Sequence, residues 1–170
     1  TRDPSSAASD VYKRQGRGTA LADILYDGRL GIIIGNWNGY HRAYVPARHS
    51  FLDYATEAFR KPSLVRTVIS ADFDNDGFDE IFFNNIGQPN RMFRVRDGGV
   101  LEPVALSAAL EADGLGTGAA VADMDGDGVL DLLVAHGESA PQPLSLFRAA
   151  IDGPGRYLCL LYTSPSPRDP

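Results

Sequence analysis

The chain has 170 residues with 16 basic and 22 acidic side chains, a net charge of −6 and a single cysteine. Nucleic acids and anionic membranes are bound by positive faces, so an acidic chain of this kind argues against both as partners. One cysteine excludes a disulfide framework, and no apolar run reaches the ~18 residues that a membrane-spanning helix needs.

The first segment, residues 1–15, contains SSAASDVYKRQ, which resembles the translation of a transposase-type sequencing adapter. The last, residues 159–170, contains CLLYTSPSPRD, which resembles the opposite adapter read in one frame. Both are read as non-native ends, leaving residues 16–158 as an expected piece of a longer protein. Four basic and three acidic residues leave with them, so the net charge becomes −7.

Between these ends one unit occurs three times. GRGTALADILYDGRLGIIIGN begins at Gly16, VRTVISADFDNDGFDEIFFNN at Val65 and GTGAAVADMDGDGVLDLLVAH at Gly116. Asp23, Asp72 and Asp123 fall at one repeat position, and Gly28, Gly77 and Gly128 at another. The units divide the chain at about 16–64, 65–115 and 116–158. In each, a strand-like stretch leads into an acidic loop, followed by the apolar triplets Ile32-Ile33-Ile34, Ile81-Phe82-Phe83 and Leu132-Leu133-Val134. HRAYV, NRMFRV and PLSLFRA then supply a further strand. β-Branched and aromatic residues fill these runs, with Gly, Asn, Asp and Pro between them. Only SFLDYATEAFRK and LSAALEADGL leave room for short helical turns. Units of about 50 residues and about four strands predict an all-β fold, a partial β-propeller of three four-stranded blades.

The second and third loops read D-x-D-x-D-G-x-x-[DE]. Carboxylates at positions 1, 3 and 5 can turn inward around one point, glycine at 6 permits the sharp turn, position 7 offers a carbonyl and position 9 closes the shell. Such an all-oxygen set of hard donors suits Ca²⁺, and it lacks the nitrogen and sulfur that zinc or copper would favour. The predicted ligands are Asp72, Asp74, Asp76, the Phe78 carbonyl and Glu80, and then Asp123, Asp125, Asp127, the Val129 carbonyl and Asp131. The competing reading is a metal-free turn rich in Asp and Gly. The first loop carries Leu25 at position 3 and Gly31 at position 9, so it is read as a turn alone.

These loops at this spacing resemble the FG-GAP/VCBS repeats of integrin α-subunit and bacterial propellers. The strings GNWNGYHRAYV, NRMFRV and AHGES narrow the resemblance to the cartilage acidic protein and ASPIC/UnbV family. The resemblance implies a secreted, calcium-binding propeller that contacts extracellular protein or glycan, has no established catalytic machinery and is completed by further blades. A polysaccharide-active enzyme with a similar propeller is the alternative.

The remaining motifs point away from catalysis. GLGTGA has no Lys-Ser/Thr after it and opens no helix, so it is read as the start of a unit, not a phosphate loop. His136, Glu138 and Ser139 lack a nucleophile elbow; His136 shares its repeat position with Asn36 and Asn85, which predicts turn bonding at a strand end. Trp37 is assigned to packing between units in preference to a sugar platform. Arg91, Arg94 and Arg96 are assigned to a solvated face or to pairs with the acidic loops.

Overall fold

The computed structural model describes residues 16–137 and 141–148. The two segments read as adapter-derived, Cys159, Glu138 and Ser139 lie outside these residues.

Three antiparallel blades follow one another. The first comprises β1 (Gly16–Ala22), β2 (Gly31–Gly39), β3 (Arg42–Ala47) and β4 (Ser50–Asp53). The second comprises β5 (Ser63–Ala71), β6 (Glu80–Asn85), β7 (Arg91–Arg96) and β8 (Val100–Val104). The third comprises β9 (Gly116–Ala122), β10 (Asp131–His136) and β11 (Ser145–Phe147), three strands among the described residues. The first strands lie side by side, β1 against β5 and β5 against β9, and so form the inner edge of an arc. The fold is therefore all-β, a partial propeller.

The expected helical turns occupy only part of their segments, and β4 takes the first residues of the earlier one. The earlier turn is α1 (Glu57–Arg60), and a 3₁₀ turn spans Ala108–Leu110. Thr56 caps α1 by accepting from the Phe59 N–H at 3.3 Å, while its hydroxyl donates to the Leu101 carbonyl. At the other end the guanidinium of Arg91 donates to the carbonyls of Ala58 and Lys61. Arg91 is thus no part of a solvated face. Its cation satisfies carbonyls that a helix end leaves without partners.

The apolar triplets suit strands covered on both sides. β6 achieves this fully: Ile81, Phe82 and Phe83 are each 0% exposed. Phe83 joins a core shared by the first two blades, and Phe82 joins the core between the second and third. In the outer two blades only alternate residues are so enclosed. Ile33 and Val134 are buried, while Ile32, Ile34 and Leu133 are half-buried.

Each blade is clasped to the next at the same repeat position. Trp37 pairs with Leu64 across the first junction, and Ile86 with Leu115 across the second. Trp37 lies half-buried beneath two guanidinium groups, Arg66 at 4.5 Å and Arg17 at 5.6 Å from the ring centroid, in keeping with a packing role.

Close approach of the inner strands requires glycine. A Cβ on Gly18 would lie 2.6 Å from the Val68 backbone nitrogen, whereas one on Gly118, its counterpart in the third blade, would meet nothing within 4 Å. Gly18→Ala is expected to destabilise the chain by about 1–3 kcal/mol, because backbone cannot rotate out of the way as a side chain can. Gly118→Ala is expected to be near neutral. Urea unfolding of the two variants would check this, and equal midpoints would refute it.

Candidate metal centre

The three acidic loops connect the first and second strands of their blades and share one backbone framework. At position 1 the carboxylate accepts from the N–H groups of positions 5 and 6. Asp23 accepts from Asp27 at 3.2 Å and Gly28 at 2.7 Å; Asp72 accepts from Asp76 at 3.1 Å and Gly77 at 2.9 Å; Asp123 accepts from Asp127 at 3.1 Å and Gly128 at 2.9 Å. Position 5 then accepts from position 7: Asp27 from Arg29, Asp76 from Phe78 and Asp127 from Val129, at 3.0, 2.9 and 2.8 Å. Position 6 is a glycine with φ of 79° (Gly28), 93° (Gly77) and 86° (Gly128), a region that side chains disfavour. Residues Phe78 and Val129, expected to offer carbonyls, are placed in the loop through their N–H groups.

The aspartates at positions 1 and 5 therefore have a turn function of their own. The first loop makes the same turn with Leu25 at position 3 and Gly31 at position 9. The turn of the first loop forms with only two of the four acids; what distinguishes the second and third loops is positions 3 and 9.

At position 9 the carboxylate reaches back to the N–H of position 2: Glu80 accepts from Phe73 and Asp131 from Met124, both at 3.1 Å. Position 3 adds a second acceptor for the N–H of position 5: Asp74 accepts from Asp76 at 3.2 Å and Asp125 from Asp127 at 3.3 Å. Asp72, Asp74 and Glu80 each offer an oxygen within 4.8 Å of the others, and Asp123, Asp125 and Asp127 do the same. Asp76 lies outside the first of these groups and Asp131 outside the second. Burial raises the Glu80 carboxyl above the usual carboxylate range, against the pull of the Arg94 guanidinium and the Phe73 N–H. Three converging carboxylates with no imidazole or thiolate among them fit a hard divalent cation such as Ca²⁺.

Neighbouring loops are also joined to each other. Position 4 has φ of 55° at Tyr26 and 56° at Asn75, a conformation that costs energy in a non-glycine residue. Each of these side chains crosses to the next blade. Tyr26 packs its ring at a tilt against Phe78, centroids 4.0 Å apart, and donates its hydroxyl to the Val95 carbonyl at 2.6 Å. Asn75 donates to the Gly128 carbonyl at 2.7 Å. Burial, with Asp76 next in effect, pushes the Tyr26 hydroxyl up to about 12, so it remains a donor.

At the opposite end of the second strands, Asn36 donates its amide to the Tyr40 carbonyl and Asn85 to the Pro89 carbonyl, at 2.7 and 2.6 Å. His136 makes the matching contact from Nδ1 to the Pro143 carbonyl at 2.8 Å. That is the turn bonding expected from its repeat position. Of the arginines, Arg94 donates to Asp74 and Glu80, and Arg96 pairs with Glu102. Sequence reading missed Arg148, which donates to Asp125 at 3.0 Å. Its signal lay in the strand register: Phe147 faces Leu132, which places Arg148 opposite Asp131.

Among the described residues no helix is long and apolar enough to cross a membrane. A family model described as FG-GAP-like repeat matches residues 72–134, from the first acid of the second loop to the middle of β10. Cartilage acidic protein 1 of Homo sapiens is 51% identical over 156 residues, covering 85% of this chain and 24% of its own length. The proteins of the same name from Mus musculus and Xenopus tropicalis are 50% and 49% identical with the same coverage. The chain spans about a quarter of these curated relatives. With three repeated blades, paired acidic loops and this identity, the chain belongs to the FG-GAP-repeat family of cartilage acidic proteins.

Proposed function

We propose that this segment is a calcium-stabilised part of an extracellular propeller that presents its loops to a protein or glycan partner. The observation that carries this reading is the surplus of acid in two loops. Asp74 and Asp125 are not required for the turn, since the first loop makes it with Leu25, yet each brings its charge to within 4.8 Å of two further carboxylates. Such crowding is unfavourable unless a cation offsets it. Bound there, Ca²⁺ would neutralise the carboxylates, and loops of this type suit the millimolar concentrations outside cells, with Kd on the order of 10⁻⁴–10⁻³ M. The half-buried Ile32, Ile34 and Leu133 of the first and third blades support completion of the ring by further blades. The printed name of the relatives, cartilage acidic protein, supports an extracellular setting and a binding role. The polysaccharide-enzyme alternative gains nothing from Trp37, whose ring is stacked with arginine.

Calorimetric titration of the 170-residue chain with Ca²⁺ tests the metal reading. Two ions are expected to bind, with one lost in Asp74→Ala and the other in Asp125→Ala. A folded chain that takes up no calcium would overturn the reading.

A further inference from the structure

Both acid-rich loops have an arginine placed on them by the third strand of the same blade. Arg94 on β7 donates from Nε to Glu80 Oε1 at 2.9 Å and from Nη2 to Asp74 Oδ2. It faces Glu80 directly across the ladder. Arg148 follows Phe147, which faces Leu132, and donates from Nη1 to Asp125 Oδ2 at 3.0 Å. The two arginines therefore occupy one place in the blade and engage the same loop position, the third.

The first blade lacks this pair of features together. Ile32 faces Tyr44, so Val45 follows where Arg94 and Arg148 stand in the other blades. Opposite it is Gly31, and position 3 is Leu25. The only cation in that loop, Arg29, pairs instead with Asp27, the turn acid at position 5. Guanidinium and surplus carboxylates are thus present together in the second and third blades and absent together in the first.

Positions 3 and 9 are the acids that the first loop's turn does without, and they are the ones Arg94 holds. We infer that Arg94 and Arg148 are resident counter-cations of the acidic loops, which hold position 3 when no metal is present and compete with a metal for it. This rests on the calcium reading above but adds a determinant of affinity outside the loop motif. With the guanidinium in place the loop keeps its shape without metal. A metal must either displace it or bind beside a unit positive charge. A unit charge within ~5 Å of a divalent ion, in near-aqueous surroundings, weakens binding by roughly tenfold or more. The two loops should also differ. Arg94 is largely covered and bridges two carboxylates, whereas Arg148 is mostly exposed and holds one. The second loop should bind calcium more weakly than the third.

The test is calcium titration of the 170-residue chain beside its Arg94→Gln and Arg148→Gln variants, with hydrogen exchange of the loop amides in chelator. Arg94→Gln is expected to tighten one site about tenfold and to speed exchange at the Asp76 and Gly77 amides without metal. Arg148→Gln is expected to tighten the other site by less. Arg94→Lys retains the charge but cannot bridge two carboxylates, so its affinity should lie between; it also serves if the glutamine variant does not fold. If the parent chain takes up no calcium but the glutamine variants do, the inference stands and the calcium reading of the native loops falls. Unchanged or weaker binding in the variants of a chain that itself binds would overturn the inference alone. No binding in any of them would overturn both.

Discussion

Phe59→Ala is expected to destabilise the chain by about 3–5 kcal/mol, the largest effect of any single truncation considered for this fold. Phe59 belongs to α1, outside the strand ladders, yet it is 0% exposed and sits between two blades. Its ring lies 5.1 Å from Phe83 and 4.8 Å from Phe93, both on the second blade, and those two rings meet edge-on at 5.8 Å. The helix is attached to the first blade through the chain, and to the second through this ring together with the Thr56 and Arg91 hydrogen bonds. Truncation would remove apolar area and an aromatic contact while leaving a cavity lined by strands, which cannot collapse into it. It would also loosen the carbonyls that Arg91 holds, since Arg91 stacks 4.9 Å from the Phe93 ring. Phe51→Ala on β4, 55% exposed, is the control and should cost no more than about 0.5 kcal/mol. Denaturant midpoints would decide; similar losses in the two variants would show that the junction is not held at Phe59.

Acidification should weaken the same junction. His41 is fully buried, and burial first, then the nearby Arg91 guanidinium, lower its pKa from 6.5 to about 4. The hydrogen bonds define its neutral state. The Asn36 N–H donates to Nδ1 at 3.1 Å; Nε2–H donates to the Ser63 hydroxyl at 3.0 Å; that hydroxyl donates to Asn85 Oδ1 at 2.8 Å. This chain of bonds runs from the first blade into the second. A proton added at Nδ1 would break its first link and place a charge in the core. Because the folded pKa is depressed, the unfolded chain binds the proton more tightly. The stabilising effect is therefore full above pH 6.5 and is lost as pH falls from 6.5 toward 4. At about 1.4 kcal/mol per pH unit of difference, the loss attributable to His41 is about 3 kcal/mol. The second blade offers the control, since Asn90 Oδ1 accepts from the Asn85 N–H at 2.8 Å in the place of the imidazole. His41→Asn should keep the turn and flatten the stability profile between pH 6.5 and 4. A variant whose profile stays as steep as the parent's would show that other groups carry the acid sensitivity.

The repeat made much of this molecule readable in advance. Local composition fixes strands and turns when the same positions recur three times, so β1 to β3, their counterparts and the glycine turns follow from spacing alone. The acidic loops were legible for the same reason, because alternate carboxylates around a glycine turn can face inward together. Their division of labour was not. That Asp72 and Asp76 supply the bonds common to all three turns, while Asp74 only adds a second acceptor to one of them, emerges only when the backbone N–H groups have positions. Arg94 and Arg148 lie twenty or more residues from the acids at position 3, and only strand register brings them across. His41, Ser63 and Asn85 come from three separate strand ends, none distinctive in the sequence, and meet where two blades are clasped. Local sequence thus determined the blade and its loops, because their hydrogen bonds close within a few residues. The tertiary structure decided the junctions and the charge balance of the loops, because those contacts depend on which strand lies beside which.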